Sequence, residues 1–324
     1  MSSTPFTPFS RLVTVRVTGS TNDDLRVALS GPDGRVDPEA ARSWPHLSAL
    51  RARAQTAGRG RAGRTWETPS SGALTVSVVL RPLVPAARLE WLPLLTGLAV
   101  QRALAPRLEG AGQRVRTKWP NDVVALPEET STCAVADVPG WGPSRKVSGV
   151  LCELVPGADR VDGHSGGADG SRDGAEAARA AMPAVIVGIG VNLAQGAADL
   201  PVPWAASLVG LGADPGLAAA DDVLRDLGKH LAGLVARWEE QDGDPDGGDG
   251  GLGRDLREAC STLGRDVVVT VPMGPAGSPS RVRGRAVDLR PGLVLRDAVG
   301  GPAGDGAEEF VVSAGDVASA RFGA

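Results

Sequence analysis

Residues 55–66 read QTAGRGRAGRTW, and residues 74–80, a short distance downstream, read LTVSVVL. The first stretch contains the G-x-G-x-x-G pattern of dinucleotide-binding proteins and most of a P-loop, with Arg64 in place of the P-loop lysine. Both patterns require a helix directly after the glycines, because its N-terminus holds the phosphates. The β-branched residues of 74–80 predict a strand instead. We therefore expect neither a Rossmann domain nor a P-loop ATPase.

The chemistry of this loop still indicates an anion site. Glycines allow the backbone to approach a ligand closely. Arg59, Arg61 and Arg64 place three permanent positive charges within six residues. Guanidinium groups bind phosphates and carboxylates well, so the loop suits a phosphate or an anionic intermediate. The residues alone leave a second interpretation open, a solvated basic loop that touches nucleic acid or nothing.

Three further stretches combine polar side chains with glycine or proline turns: KWPND (118–122), KVSGVL (146–151) and GIGVN (188–192). Lys118 can bind phosphate, and Asp122 can bind a hydroxyl group or Mg²⁺. A ligand can lie against the bare backbone of Gly149, and Asn192 suits amide or ring-nitrogen edges. Taken singly, each also fits a surface lysine, a packing glycine or a turn residue.

The apolar pattern predicts a chain of mixed helices and strands. Strands are predicted at 12–19, 74–80, 146–154 and 184–193, with two strands around a turn in 115–126. Helices are predicted at 88–108 and 216–240. Another helix starts near Thr21, because Ser20 and Asp23 resemble a capping box. Residues 31–46 are expected to be loop.

Composition divides the chain into two domains and several connecting segments. The segments 127–145 and 156–183 are expected to be mobile insertions, and 241–253 a flexible linker. A short helix is predicted at 254–260, and short strands at hairpin spacing follow it. We expect a larger domain at 1–261 and a small all-β domain at 262–324.

Charge and cysteine usage exclude several classes of protein. The net charge of −4 over 324 residues argues against a nucleic-acid-coating protein. The three cysteines, Cys133, Cys152 and Cys260, lack metal-ligand spacing and are expected to be inert. The first residues lack the apolar core of a signal peptide, and no apolar run is long enough for a membrane helix. We expect a cytoplasmic protein with no membrane partner.

Five motifs together resemble one family: S-T-N (20–22), Q-T-A-G-R-G-R-A-G-R-T-W (55–66), K-W-P-N-D (118–122), K-V-S-G-V-L (146–151) and G-I-G-V-N-L (188–193). In this order they resemble biotin–protein ligase, also called biotin–[acetyl-CoA-carboxylase] ligase or holocarboxylase synthetase. The resemblance covers about residues 12–262. It implies an α+β fold of the class II synthetase-like type, with a mixed, mostly antiparallel sheet flanked by helices. The tail resembles the family's small SH3-like β-barrel domain.

The resemblance implies a two-step reaction. Biotin's carboxylate attacks the α-phosphate of MgATP, which gives biotinyl-5′-AMP and pyrophosphate. A lysine of a biotin carboxyl carrier domain of an acyl-CoA carboxylase then takes the biotinyl group and releases AMP. ATP and Mg²⁺ are the implied co-substrate and metal, with no tightly bound prosthetic group. The S-T-N motif starts too early for a DNA-binding helix-turn-helix domain before it, so we expect no nucleic-acid partner and a monomer or weak homodimer.

The resemblance also assigns roles to residues. It implies three catalytic residues: Lys146, Arg59 and Arg61. It implies a biotin site of Ser20, Thr21, Asn22, Gln55, Arg59, Gly60, Arg61, Lys146 and Gly149. It implies an ATP and adenylate site of Gly58, Arg59, Arg61, Arg64, Trp66, Lys118, Asn121, Asp122 and Asn192. Asp122 is a weak metal ligand in this assignment, because Mg²⁺ is held mainly by the ATP phosphates.

Two other functions compete with this assignment. A lipoate–protein ligase or octanoyltransferase is similar in fold and chemistry, but it lacks the G-R-G-R-x-G-R-x-W loop. A non-catalytic, biotin-responsive regulator would be supported by a helix-turn-helix or a basic face, and neither is visible in the sequence.

Overall fold

The computed structural model describes residues 8–66, 68, 71–129, 136–157, 172–180, 182–271, 280–296, 309–313 and 315–319. Seven strands form the larger sheet: β1 (Arg11–Thr18), β2 (Ser48–Gln55), β3 (Ala73–Leu80), β4 (Gln113–Lys118), β5 (Asp122–Pro127), β6 (Arg145–Val155) and β7 (Ala184–Asn192). Their spatial order is β1-β2-β3-β7-β6-β5-β4. Only β1 and β2 pair in parallel, and every other neighbouring pair is antiparallel. The expected mixed, mostly antiparallel sheet is confirmed.

Six helices accompany the sheets: α1 (Thr21–Leu29), α2 (Pro38–Ser43), α3 (Leu92–Leu104), α4 (Arg172–Ala180), α5 (Ala220–Glu239) and α6 (Gly251–Ala259). On one face of the larger sheet, α3, α5 and α6 pack on Val76 and Val78 of β3. On the opposite face, α1 and α2 pack on Val79. Because successive residues of a strand point to opposite faces, both faces of β3 are buried.

The predicted helix caps and apolar faces are confirmed. Ser20 caps α1, with its side chain accepting a hydrogen bond from the backbone N–H of Asp23. The predicted face of α5 is buried throughout: Val223, Leu224, Leu227, Leu231, Leu234, Val235 and Trp238. The helix predicted at 88–108 is shorter, because its two ends form 3₁₀ turns at 86–91 and 105–108. Among the described residues, no helix combines the length and apolarity needed to cross a bilayer.

Two segments expected to lack helices contain them. The predicted loop 31–46 includes α2, whose N-terminus is capped by Asp37 and carries Pro38 in its first turn. The predicted insertion 156–183 includes α4, where Arg179 pairs with Glu239 of α5 at 2.6 Å. This helix depends on a tertiary ion pair that composition does not reveal. Residues 130–135 and 158–171 lie outside the described residues, and the mobility of both insertions stays a prediction.

The segment expected to be a flexible linker, 241–253, is folded against its neighbours. Helix α6 already begins at Gly251, three residues before the predicted start. Asp246 pairs with Arg257 at 2.6 Å, and this hydrogen-bonded contact lowers the pKa of Asp246. Asp249 pairs with Arg237 at 3.3 Å. The acidic residues that make this segment look like a linker are therefore its anchors to the flanking helices.

A smaller antiparallel sheet follows α6. It contains β8 (Asp266–Val271), β9 (Ser280–Arg290), β10 (Gly292–Arg296), β11 (Glu309–Val312) and β12 (Asp316–Ser319), in the order β11-β10-β9-β8-β12. Strand β12 was not predicted from the sequence. The apolar side chains of this sheet, such as Val269 and Leu293, join the core cluster of the larger sheet. The domain boundary at 262 stays a prediction.

The α5 face predicts where substitutions destabilise the protein. Leu231 is fully buried, whereas Leu217 is 54% exposed. Leu231→Ala should lower the free energy of unfolding by about 2–5 kcal/mol, because it leaves a cavity in the core. Leu217→Ala, the matched control, should change it by about 0.5 kcal/mol or less. Urea unfolding of the full chain measures both values, and equal losses would contradict the assignment of this core face.

Candidate active site

A cavity of about 480 Å³ opens on the α1 face of the larger sheet. Its wall combines the loop after β2 with α1, β3, β6 and β7, and with the segment 199–205. The lining residues that matter below are Ser20, Thr21, Asn22, Gln55, Arg59, Gly60, Arg61, Arg64, Trp66, Thr75, Asn121, Asp122, Lys146, Gly149, Gly188, Gly190, Asn192 and Trp204.

The cavity exists because the α1 face of the sheet loses side-chain volume along its central strands. On β7, Ile186 packs against the helices of this face, but the next residues on the same side are Gly188 and Gly190. On β3, Val79 faces the same helices, and the preceding residues on the same face of the sheet are Ser77 and Thr75. Gly149 of β6 lies in register beside Gly190. Apolar packing thus gives way to bare backbone and small polar groups.

The arginine-rich loop is a tight hairpin-like turn at the mouth of this cavity. The N–H of Gly60 donates to the carbonyl of Arg64 at 2.7 Å, and the N–H of Trp66 donates to the carbonyl of Gly58 at 2.9 Å. At the tip, Ala62 and Gly63 have φ angles of 54° and 72°, in the left-handed region. The loop brings guanidinium groups to a ligand without the help of a helix N-terminus.

Trp66 closes this turn and forms part of the cavity floor. Its ring lies against the backbone of β6 and β7, where a Cβ atom on Gly190 would overlap the indole and one on Gly149 would lie 3.2 Å from it. The indole Nε1–H is buried and has no hydrogen-bond partner among the described residues. A buried donor without a partner is costly, so this N–H is available to a ligand.

Two arginines of the loop contact the wall through different partners. Arg59 pairs with Asp23 of α1 at 2.6 Å and with Glu153 of β6 at 3.4 Å. Arg61 donates to the side-chain oxygen of Asn121 at 3.2 Å. Arg59 and Arg61, which the sequence predicts to bind an anion, therefore attach the loop to two sides of the cavity.

A second cation lies deeper in the cavity. Lys146 Nζ is 2.6 Å from Asp122 Oδ1 and 5.4 Å from the centre of the Trp66 ring. The backbone of Lys146 is fixed by the segment that ends the wall, because its N–H donates to the carbonyl of Trp204 at 2.7 Å. The ion pair balances the lysine charge, and Lys146 lines the cavity.

The part of the cavity wall around Thr21, Asn22 and Gln55 is polar. Gln55 Oε1 accepts from the backbone N–H of Thr21 at 2.8 Å and from its hydroxyl at 3.1 Å. Asn22 donates its amide to Glu153 Oε2 at 2.7 Å. Ser77, which is fully buried, lies 2.6 Å from both Thr21 Oγ1 and Asn22 Oδ1. This part of the cavity therefore offers neutral hydrogen-bonding groups with Arg59 nearby, whereas Lys146 and Arg61 lie beside Asp122 and Asn121.

The structure brings together all of the residues predicted for the site except Gly58 and Lys118. Gly58 is buried behind the loop, where a Cβ atom would overlap the carbonyl oxygen of Trp66. Lys118 Nζ donates to the carbonyl of Val317 in β12 at 2.8 Å and lies 4.2 Å from the centre of the Trp141 ring. It does not line the cavity, and its phosphate-binding role stays a prediction.

Sequence patterns missed two residues of the cavity wall, Thr75 and Trp204, and two residues behind it, Ser77 and Glu153. Thr75, Ser77 and Glu153 lie inside strands, where a polar residue gave no motif. Trp204 lies in the segment 199–205, which carried no signal; its ring stacks on Trp141 with centroids 5.7 Å apart. The one available clue was strand alternation, which places Ser77 and Thr75 on the same side of β3.

Neither Cys152 nor His46 suits covalent or acid–base catalysis at neutral pH. Burial raises the pKa of the Cys152 thiol to about 12, so it stays protonated. Burial also lowers the pKa of His46 to about 4, and its Nδ1 accepts from the backbone of Arg81. No cluster of three or more His, Cys, Asp or Glu side chains with metal-binding geometry occurs there. Cys133 and His164 lie outside the described residues.

The fold and the cavity define a protein whose large mixed sheet carries a polar cavity beside an arginine-rich loop. A family model described as the Biotin/lipoate A/B protein ligase family matches residues 39–167. The biotin–[acetyl-CoA-carboxylase] ligase of Mycobacterium tuberculosis is 31% identical over 315 residues, which are 96% of this chain and 90% of that protein. The ligase of the same name from Paracoccus denitrificans is 34% identical over 211 residues, covering 64% of this chain and 70% of that protein.

A solved structure has the same fold. The biotin protein ligase from Aquifex aeolicus in complex with biotin and ATP superposes with a TM-score of 0.59, at 23% identity, over 96% of this chain and 100% of that one. The identity to the Mycobacterium tuberculosis protein, over nearly the whole of both chains, shows that this chain belongs to the biotin–[acetyl-CoA-carboxylase] ligase family.

The contact between Trp66 and the glycines predicts how the loop is anchored. Gly190→Ala should displace the indole, so tryptic cleavage after Arg59, Arg61 or Arg64 should become about tenfold faster, equivalent to about 1.4 kcal/mol of lost anchoring. Gly233→Ala is the matched control, because a Cβ atom there meets nothing within 4 Å. Mass spectrometry of limited digests locates the cuts. Unchanged cleavage in Gly190→Ala, with an unchanged melting temperature, would show that the indole does not anchor the loop.

Proposed function

We propose that the chain activates biotin with MgATP to biotinyl-5′-AMP and then transfers biotin to a lysine of a biotin carboxyl carrier domain of an acyl-CoA carboxylase. The observation that carries this proposal is the distribution of polar and charged groups around the cavity. One end presents the neutral groups of Thr21, Asn22 and Gln55, with Arg59 close to Asn22 because both contact Glu153, and the other end presents Arg61 and Lys146. Such a cavity suits a ligand with a neutral polar ring at one end and an anionic group at the other.

The end of the cavity at Thr21, Asn22 and Gln55 fits the ureido ring of biotin. A cyclic urea offers two N–H donors and one carbonyl acceptor. Gln55 Oε1 already accepts from the backbone N–H and the hydroxyl of Thr21, whereas Thr21 Oγ1 and Asn22 Oδ1 each keep a lone pair that can accept from a ring N–H. Ser20, the cap of α1, also lines this end. Biotin's valerate chain then leads toward the cationic end, past Gly149 and Trp66.

The cationic end addresses the main barrier of the first step. Biotin's carboxylate and the α-phosphate are both negative and repel each other. Fixed positive charges bring them together and stabilise the added charge of the transition state. Arg59, Arg61 and Lys146 supply these charges from three positions around the cavity. In the second step the same groups hold the adenylate while the carrier amine attacks its carbonyl and AMP leaves.

The nucleotide and metal belong on the same side. Asn121, Asp122 and Asn192 line this part of the wall, and Asn192 is held by a hydrogen bond from Gln195 at 3.1 Å. Mg²⁺ commonly takes one or two carboxylates together with substrate phosphates and water. Asp122 fits that modest role, with the ATP phosphates as the main ligands of the metal. Bound Mg²⁺ would neutralise phosphate charge there.

Closure of the arginine-rich loop would protect the intermediate. A mixed anhydride hydrolyses in water, so a lid that excludes solvent preserves it. Trp66 and the backbone of Gly60 already cover the floor and mouth of the cavity. The proposed reaction needs no covalent enzyme intermediate.

A lipoate–protein ligase is the second candidate, because the matched family model covers both biotin and lipoate ligases. The dithiolane ring of lipoate offers no N–H donor. The accepting groups at Thr21, Asn22 and Gln55 therefore favour biotin. A cytoplasmic location, a carrier-domain partner and a monomeric or weakly dimeric state complete the proposal.

ATP–pyrophosphate exchange tests the proposed function directly. We expect exchange with biotin and none with lipoate, because only biotin satisfies the accepting end of the cavity. Exchange with lipoate alone would assign the chain to lipoate ligation. Binding of biotin without any exchange would assign it to a regulator.

Two substitutions separate the proposed roles of the cations. Arg59→Ala should release biotinyl-5′-AMP at least about tenfold faster, because the adenylate loses a charged contact. Lys146→Ala should slow adenylate formation by about 10²–10³ while changing the affinity for ATP much less, because its charge matters most in the transition state. Rapid-quench kinetics and filter binding measure both effects. Arg42→Ala, on the exposed surface of α2, is the control. Wild-type rates in both variants would refute these roles.

A further inference from the structure

We propose that Lys118 and Trp141 are positioning residues that hold Trp204 in the cavity wall from outside and so set the affinity for the nucleotide. This inference rests on the proposed function and deepens it. Lys118 belongs to the K-W-P-N-D motif (118–122), and Trp141 lies in the segment 127–145 that separates this motif from K-V-S-G-V-L. Neither residue lines the cavity, whereas Trp204 does.

The three side chains form a continuous stack that leads from the small sheet to the cavity. The rings of Trp141 and Trp204 are nearly parallel, with an interplanar angle of 8° and centroids 5.7 Å apart. Lys118 Nζ lies 4.2 Å from the centre of the Trp141 ring and donates to the carbonyl of Val317 in β12 at 2.8 Å. Stacked aromatic pairs and cation–π contacts each add stability beyond the area that they bury. The stack therefore supports the Trp204 ring from outside the cavity.

A tight turn fixes the position of Trp141. The backbone N–H groups of Trp141 and Gly142 both donate to the carbonyl of Val138, at 2.9 and 2.8 Å, and the N–H of Val138 donates to the carbonyl of Gly142 at 2.8 Å. Gly140 and Gly142 have φ angles of 75° and 56°, in the left-handed region that favours glycine. The backbone of this turn therefore presents the indole at a defined place beside Trp204.

Lys118 is fixed where the larger sheet meets the small sheet. It ends β4 and is 8% exposed. The N–H of the next residue, Trp119, donates to Thr262 Oγ1 at 3.0 Å. A buried ammonium group is costly unless it has partners, and the carbonyl of Val317 and the face of the Trp141 ring are two such partners. The fold thus engages the charge of Lys118 in holding the stack together.

Trp204 connects the stack to the nucleotide side of the cavity. Its carbonyl accepts from the N–H of Lys146 at 2.7 Å, and the carbonyl of Lys146 accepts from the N–H of Ala206 at 2.9 Å. Lys146 pairs with Asp122 at 2.6 Å, on the side to which we assign the ATP phosphates. Backbone hydrogen bonds therefore hold Lys146, whereas the Trp204 ring is supported by Trp141. Loss of the stack should weaken nucleotide binding more than it slows the chemical step.

Trp141→Leu tests the stack by ATP–pyrophosphate exchange at saturating biotin. The KM for ATP should rise about three- to tenfold, which corresponds to the loss of one aromatic pair, and kcat should change about twofold or less. Trp141→Phe keeps a ring on Trp204 and should stay within about twofold of the wild type. Arg11→Met is the matched control, because it removes a cation–π contact with Trp44, 4.6 Å from the ring centre, and neither residue lines the cavity.

A double variant distinguishes a positioning role of Lys118 from a direct contact with phosphate. Lys118→Met keeps both rings and should raise the KM for ATP about threefold, because the ammonium group leaves the face of Trp141. In the Trp141→Leu background the same change should add a factor of about 1.5 or less, since the two residues act through one contact. A direct phosphate contact would lower kcat about tenfold or more in both backgrounds. That loss, or equal factors on KM in both backgrounds, would overturn the inference.

Calorimetry with ATP alone and with biotin alone separates this inference from the proposed function, because it needs no catalysis. Trp141→Leu should lose ATP affinity, keep biotin affinity within about twofold and unfold in one cooperative thermal transition. Unchanged ATP affinity, or an equal loss of biotin affinity, would overturn the inference alone. A wild-type chain that binds ATP without biotin-dependent exchange would refute the proposed function alone. A wild-type chain that does not bind ATP would refute both.

Discussion

The site depends on one packing constraint, the loss of side-chain volume on one face of a buried sheet. Gly149, Gly188 and Gly190 lie at positions where apolar side chains would fill the space between the sheet and its helices. A Cβ atom on Gly190 would occupy the place of the Trp66 ring. On the other face, α3 and α5 keep a continuous apolar core. The packed face supports the sheet, and the glycine face can therefore be open without loss of the fold.

Charge is arranged around this opening in compensated pairs. Arg59 contacts Asp23 and Glu153, and Lys146 contacts Asp122. Partly buried cations without partners would repel each other and destabilise the empty site. The carboxylates hold these cations in place, and the phosphate oxygens of the proposed nucleotide would take over the contacts. The same carboxylates also orient neutral groups, as Glu153 does for Asn22.

Local sequence predicted the elements whose signals are local. The Ser20 cap, the apolar face of α5 and the strand after the arginine-rich loop were all confirmed. The elements that were missed, such as α4, depend on contacts between distant residues, as in the pairing of Arg179 with Glu239. A window of sequence contains only one partner of such a pair. Composition misjudged the segment 241–253 for the same reason.

The sequence by itself determined which chemical groups the protein has and that a strand, not a helix, follows the arginine-rich loop. Its motifs named most of the residues that meet in the cavity. Only the tertiary structure decided that Lys118 contacts Val317 instead of the cavity, and that Ser77 and Glu153 stand behind its wall. The reason is physical. Side-chain type and strand alternation are local properties, whereas the partner of a charge or a hydroxyl depends on which strands the fold places side by side.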